Sequence, residues 1–145
     1  MSDVQPTFVS ETPLRVRYAE TDAMGIVHHA SYIIWFEVGR SDWLRQQGMS
    51  YADVEASGYL LVVSEVQARF MRPARYDELI VIRTRVAELK SRRLRFEYEV
   101  VRQATDETLV AGATSHIVTD RTGRVTTFPT ALRVLLEGGS AAGMV

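Results

Sequence analysis

The apolar residues of this chain change their period once, and that change restricts the fold more than any other feature. Over residues 30–47 they recur at helical spacing, with Tyr32, Trp35, Phe36, Gly39, Trp43 and Leu44 on one stripe. Gly48 follows as a stop. After a short helical turn expected over 50–56, the period drops to two. Val62, Ser64, Val66, Ala68 and Phe70 alternate with polar residues, and Pro73 ends that segment. Three more strands are expected, on Ile80, Ile82, Thr84 and Val86, on Leu94, Phe96, Tyr98 and Val100, and over 109–119. A short strand over 14–18 precedes the helix, and a short helix is expected over 129–137. Short links between the strands favour antiparallel hairpins. An α+β fold follows, in which a curved antiparallel sheet wraps one long central helix, because that packing buries the single stripe and one face of each strand. Gly39 costs about 1 kcal/mol in a helix interior, so it marks close packing against the sheet.

At 145 residues the chain has the size of one domain. That domain is expected over 12–137, with flexible ends at 1–11 and 138–145. The absence of cysteine excludes a disulfide framework, a thiol nucleophile and thiolate-held metals. An acidic, polar N-terminus and short apolar runs argue against a secretory signal or a membrane span, so a cytoplasmic location is expected. Net charge is −1 but uneven. Residues 1–60 carry four Arg against eight acids, and residues 69–102 carry ten basic residues against five acids. The Arg residues alternate with acids or apolar residues along strands. No continuous basic stripe forms, and nucleic acid is not an expected partner.

Residues 18–40 read Y-A-E-T-D-A-M-G-I-V-H-H-A-S-Y-I-I-W-F-E-V-G-R and hold the candidate chemistry. Asp22 lies on a turn with Gly25, just before the helix. A helix start offers unpaired N–H groups and the positive end of the macrodipole, where a carbonyl gaining negative charge is stabilised. A carboxylate beside it can attack that carbonyl or activate water. Taken alone, Asp22 also suits an ordinary turn cap. The backbone N–H of His29 is the candidate donor. His28 and His29 are adjacent, lack an H-x-x-x-H or cysteine partner, and are not read as metal ligands. Tyr18 and Tyr32 are expected as pocket or core aromatics. Ser64 either bonds backbone or holds a water in a cleft. Lys90, Ser91, Arg92 and Arg93 form a hairpin tip, suited to solvent or to a phosphorylated ligand. Ser31 lacks a nucleophile-elbow context, and no phosphate loop or dinucleotide fingerprint occurs.

The stretch T-D-A-M-G-I-V-H-H-A-S-Y-I-I-W-F-E resembles the signature of hotdog-fold acyl-CoA thioesterases of the 4-hydroxybenzoyl-CoA thioesterase type. The H-H-A-S-Y part is most similar to the bacterial subgroup associated with the Tol–Pal envelope system. Later, F-M-R-P-A-R-Y-D-E-L resembles that family's strand–turn–strand. The resemblance implies a hotdog fold, a homodimer or homotetramer with active sites at the subunit interface, an acyl-CoA substrate and no cofactor. It implies Asp22 as catalytic carboxylate and the His29 N–H as carbonyl-polarising donor. Gly25, Ile26 and Val27 fall on its connecting turn, and Arg92 and Arg93 match its phosphate-holding hairpin. Ala23 stands where aromatic-CoA members commonly have proline, and the His28–His29 pair also departs from them. A simple acyl chain is therefore expected rather than 4-hydroxybenzoate. The competing expectation is a non-hydrolytic binder of acyl-CoA or acyl-carrier protein.

Overall fold

The computed structural model describes residues 8–138. Strand β1 (Ser10–Arg15) leads into a 3₁₀ turn (Tyr18–Glu20) and helix α1 (His29–Gln46). Helix α2 (Tyr51–Ala56), strands β2 (Tyr59–Phe70), β3 (Leu79–Leu89), β4 (Arg93–Arg102) and β5 (Glu107–Asp120), and helix α3 (Thr130–Gly138) follow. The strands form one antiparallel five-stranded sheet in the order β1-β3-β4-β5-β2. This is the expected hotdog arrangement, with α1 against the sheet. The expected flexible ends fall largely outside the described residues. Where they do not, Ser10 and Glu11 pair with Thr84 and Arg83 in β1, and Gly138 closes α3.

The stripe on α1 is the core. Tyr32, Trp35, Phe36, Gly39, Trp43 and Leu44 are all buried. Phe36 stacks on Tyr98 of β4 with ring centroids 4.4 Å apart, and the Trp43 indole N–H donates to the Phe8 carbonyl at 3.1 Å. A Cβ placed on Gly39 would lie 2.5 Å from Thr84 Oγ1 and 2.8 Å from Ile82 Cγ2. The sheet therefore requires glycine here. Gly39→Ala is expected to lower stability by about 1–3 kcal/mol through overpacking, against its favourable helix propensity. Urea unfolding checks the sign.

Two expectations need correction. The first strand ends at Arg15, not at residue 18. Glu20 accepts from the Arg17 backbone N–H at 2.7 Å, which curls the chain into the 3₁₀ turn and leaves Tyr18 facing solvent. In β2, a bulge between Val63 and Glu65 shifts the register. One extra residue exchanges the faces. Leu61 and Val63 pair with buried Val118 and His116, whereas beyond the bulge Val66 pairs with buried Thr114. Val62 therefore lies on the opposite face from Val66, Ala68 and Phe70. Moreover β2 is an edge strand, so Val62, Val63, Val66 and Phe70 all remain more than 40% exposed.

The core also holds a polar chain. The Tyr98 hydroxyl lies 2.5 Å from Thr114 Oγ1, which lies 2.8 Å from His116 Nε2. Burial, aided by the positive charge of Arg40, lowers the His116 pKa to about 4. The unfolded ring titrates near its ordinary value of about 6.5. The unfolded state therefore gains a proton first as pH falls. Stability declines between about pH 6.5 and 4, by about 3 kcal/mol from this group, and no further below. Denaturant unfolding at pH 7, 5.5 and 4 should show this decline in the native protein and lose most of it in His116→Gln.

Candidate active site

A buried carboxylate sets the start of α1. Glu20 is 7% exposed. Its Oε2 accepts from the Trp35 indole N–H at 2.7 Å and from the Arg17 guanidinium at 3.0 Å. Burial raises its pKa, but the Arg17 and Trp35 hydrogen bonds and the Arg17 charge outweigh that and hold it below the ordinary value. The Glu20 carbonyl accepts the His28 N–H at 2.8 Å. The loop between them closes as a small hairpin, with Thr21 bridged to Val27.

Within that hairpin the Asp22 N–H donates to the Ile26 carbonyl at 2.9 Å, and the Gly25 N–H to the Asp22 carbonyl at 3.0 Å. Gly25 has φ +78°, a conformation that glycine adopts without a steric penalty. Asp22 Oδ1 accepts from the Met24 N–H at 2.8 Å and from the Ile26 N–H at 3.4 Å. Oδ2 has no protein partner among the described residues. The carboxylate is thus anchored by one oxygen and open at the other.

The first turn of α1 completes the arrangement. The His28 side chain caps the helix, its Nδ1 accepting from the Ala30 N–H at 3.2 Å. The Ser31 N–H donates to the His28 carbonyl at 2.9 Å. The His29 N–H has no acceptor among the described residues. Asp22 and His29 therefore sit at one end of α1, on the two arms of the Thr21–Val27 bridge. An oxygen acceptor delivered there meets a free N–H and the helix dipole.

The remaining expected residues divide. Gly25 and Ile26 form the turn, and Ile26 bridges to Arg75. Val27 and Tyr32 are buried struts. The Val27 N–H donates to the Ala74 carbonyl, and the Tyr32 hydroxyl accepts the Ala74 N–H at 3.0 Å. Tyr18 is 77% exposed and meets Tyr76 edge-on at 5.6 Å. Ser64 donates to the Ser115 carbonyl at 3.1 Å and lines a groove with Arg93 and Arg95, with no bond to the Asp22 turn. Arg92 and Arg93 lie at the start of β4. The 73–76 segment that packs on the Asp22 turn lies beside Arg102 at the strand's other end, where Arg102 donates to the Pro73 carbonyl. Ten residues of strand separate the two ends, about 30 Å. Within the chain, Arg92 and Arg93 therefore do not meet Asp22.

Sequence reasoning missed the contribution of residues 74–76. The Tyr76 N–H donates to the Gly25 carbonyl at 3.2 Å, so this segment backs the turn. Its signal lay in R-P-A-R-Y-D, where Pro73 breaks the strand, but nothing local shows that the broken end returns to Gly25.

Known proteins share this architecture. A model of the thioesterase-like superfamily matches residues 16–136. The chain is similar to the putative acyl-CoA thioesterase YneP of Bacillus subtilis, at 35% identity over 113 residues, 78% of this chain and 81% of the relative. It superposes on the protein TT1821 of Thermus thermophilus with a TM-score of 0.84 and 40% identity, covering 90% of this chain and 96% of that one. The DHNA-CoA thioesterase of Staphylococcus aureus gives a TM-score of 0.86 at 28% identity, with 94% of each chain covered. A free backbone donor and an open carboxylate at the head of a sheet-wrapped helix thus occur in a chain that belongs to the thioesterase-like superfamily.

Proposed function

We propose that the protein hydrolyses acyl-CoA thioesters to a carboxylic acid and free CoA. The observation that carries this reading is the unpaired His29 N–H at the start of α1, which the Thr21–Val27 bridge joins to the turn bearing Asp22, whose Oδ2 is open. The thioester carbonyl oxygen accepts from that N–H, and the developing oxyanion gains from the helix dipole. Asp22 Oδ2 supplies the second element. It either attacks the carbonyl carbon, expelling thiolate and forming an anhydride that water cleaves, or removes a proton from an attacking water. Both routes consume one water and release one thiol. A thiolate leaves readily, so a site without a strong general acid suffices. YneP is named as an acyl-CoA thioesterase. The signature of residues 21–37 supports the finer placement near the 4-hydroxybenzoyl-CoA type and the Tol–Pal-associated subgroup. Ala23 and the His28–His29 pair support a simple acyl chain.

The working unit is a homodimer, or a homotetramer built from it, paired through β2. That edge carries exposed Val62, Val63, Val66 and Phe70, an apolar strand edge that soluble proteins normally cover. Self-pairing through a twofold axis is antiparallel. It brings the partner copy's β4 start, with its basic hairpin, toward this copy's Asp22. That arrangement supports Arg92 and Arg93 as phosphate contacts across the interface, and Ser64 as a contact near the axis. Tyr18, Gly25, Ile26 and His28 then border the thioester. A cytoplasmic location fits the cysteine-free sequence. Among the described residues, no helix is long and apolar enough to cross a membrane.

The test is thiol release from short, long and aromatic acyl-CoAs. Turnover of any of them supports hydrolysis and ranks the acyl groups. Tight binding without thiol release replaces it with the binding reading.

A further inference from the structure

A cavity of about 210 Å³ lies against the far half of α1. Glu37, Arg40 and Leu44 of α1, Tyr51 of α2, Leu61 of β2 and His116 of β5 line it. At about 30 Å³ per water, it has room for several heavy atoms. Arg40 is half-buried and makes no ion pair with any described acid; Glu37 stands at the exposed rim. A partly desolvated guanidinium without a counter-ion is unusual.

The Arg40 guanidinium only donates, and its charge opposes the larger rise that burial imposes on the Tyr98 pKa. Thr114 Oγ1 lies between the Tyr98 hydroxyl and His116 Nε2. We assign the Tyr98 O–H as donor to Thr114 Oγ1 and the Thr114 O–H as donor to His116 Nε2. A neutral imidazole that accepts at Nε2 carries its proton on Nδ1. His116 is 1% exposed, and its Nδ1 has no partner in hydrogen-bonding geometry, although the Leu61 backbone beside it favours the protonated ring. The cavity thus presents donors, namely the Arg40 N–H groups and the His116 Nδ1–H.

We infer that this cavity binds a carboxylate, with Arg40 as counter-ion and His116 Nδ1–H as second donor. One source is the distal end of an ω-carboxyacyl thioester; that source rests on the proposed function and on pairing through β2. Phe70, at one end of β2, packs near His29 and Tyr32, while Leu61, at the other end, lines the cavity. Antiparallel self-pairing lays the His29 end of one copy toward the cavity of the other, so an acyl tail enters from the partner's active site. The other source is a free carboxylate.

Two arms separate the sources. In the first, kcat/KM is compared for adipoyl-CoA and hexanoyl-CoA, which share chain length. The native protein is expected to favour adipoyl-CoA by about tenfold, and Arg40→Gln to lose that ratio, with Arg40→Lys intermediate. In the second, adipate and the uncharged hexanamide are titrated while the Arg40 Nε–H and His116 Nδ1–H resonances are followed by NMR. Adipate alone is expected to shift them in the native protein, and not in Arg40→Gln. If Arg40→Gln fails to fold by circular dichroism, His116→Gln takes its place in both arms. A kinetic preference assigns the acyl tail. Shifts with free adipate but no preference assign the free carboxylate. Neither preference nor shifts overturns the inference. If no thioester is hydrolysed at all, the proposed function fails, and the NMR arm alone decides the cavity.

Discussion

Replacing His29 with proline is expected to lower kcat for a good acyl-CoA about 10²–10³-fold, some 3–4 kcal/mol of barrier, while the protein stays folded. The backbone permits this substitution. His29 is the first residue of α1, where proline is favoured because its missing N–H has no helical acceptor. The preceding residue, His28, already has φ −67° and ψ 137°, the extended conformation that a following proline requires. His29→Pro therefore deletes one donor and leaves the helix intact. His29→Ala keeps the N–H and removes only the ring, which packs at 4.5 Å on His28 and 6.3 Å from Phe70. It should retain turnover within a few-fold. Stopped-flow or steady-state thiol release on both variants decides the matter. Equal rates for the Pro and Ala variants would remove His29 N–H from the mechanism, because only the Pro variant lacks the donor.

Asp22→Asn should cost at least about 10³-fold in kcat, whichever route the carboxylate takes. The substitution suits the turn. An asparagine carbonyl oxygen can still accept the Met24 N–H that Asp22 Oδ1 now accepts at 2.8 Å. What changes is the open position, where an amide NH₂ replaces an anionic oxygen and can neither attack nor take a proton. Thermal melting should move by only a few degrees. Full activity in a folded Asp22→Asn protein would overturn the assignment. In the native enzyme, a single turnover in ¹⁸O-water tests the first route. Labelled oxygen in the protein's carboxylate establishes attack by Asp22, with water opening the anhydride at the Asp22 carbonyl; general-base catalysis, like opening at the acyl carbonyl, places the label in the product acid.

The sequence by itself determined the long helix, its buried stripe and the number and sense of the strands. These follow from periodicity, which is a local property: a 3.6-residue repeat has one geometry that buries it, and so does a two-residue repeat. The close approach at Gly39 was legible for the same reason, since a glycine in the middle of a buried stripe serves packing. The turn from Asp22 to Gly25 was legible because Gly25 and a short acidic side chain are what such a turn requires.

Tertiary structure alone decided the rest. One extra residue at Ser64 turned β2 over, and no composition rule marks a bulge within an otherwise regular alternation. The exposure of Val62, Val66 and Phe70 depends on β2 being an edge, which follows from the order of strands rather than from any strand's own residues. Nothing local marks Glu20 as buried; Trp35 and Arg17 close over it only in the fold. The free N–H at His29 emerges only once every other donor of the first turn has been assigned an acceptor. The family resemblance implies one site for Arg92 and Asp22, yet Arg92 adjoins the start of β4 and the segment that backs the Asp22 turn lies at its other end. Arg40 and His116, far apart in the chain, meet at one cavity. Each of these depends on which distant groups satisfy or leave open a buried donor, acceptor or charge. That pairing is settled by packing in three dimensions, to which local sequence periodicity is blind.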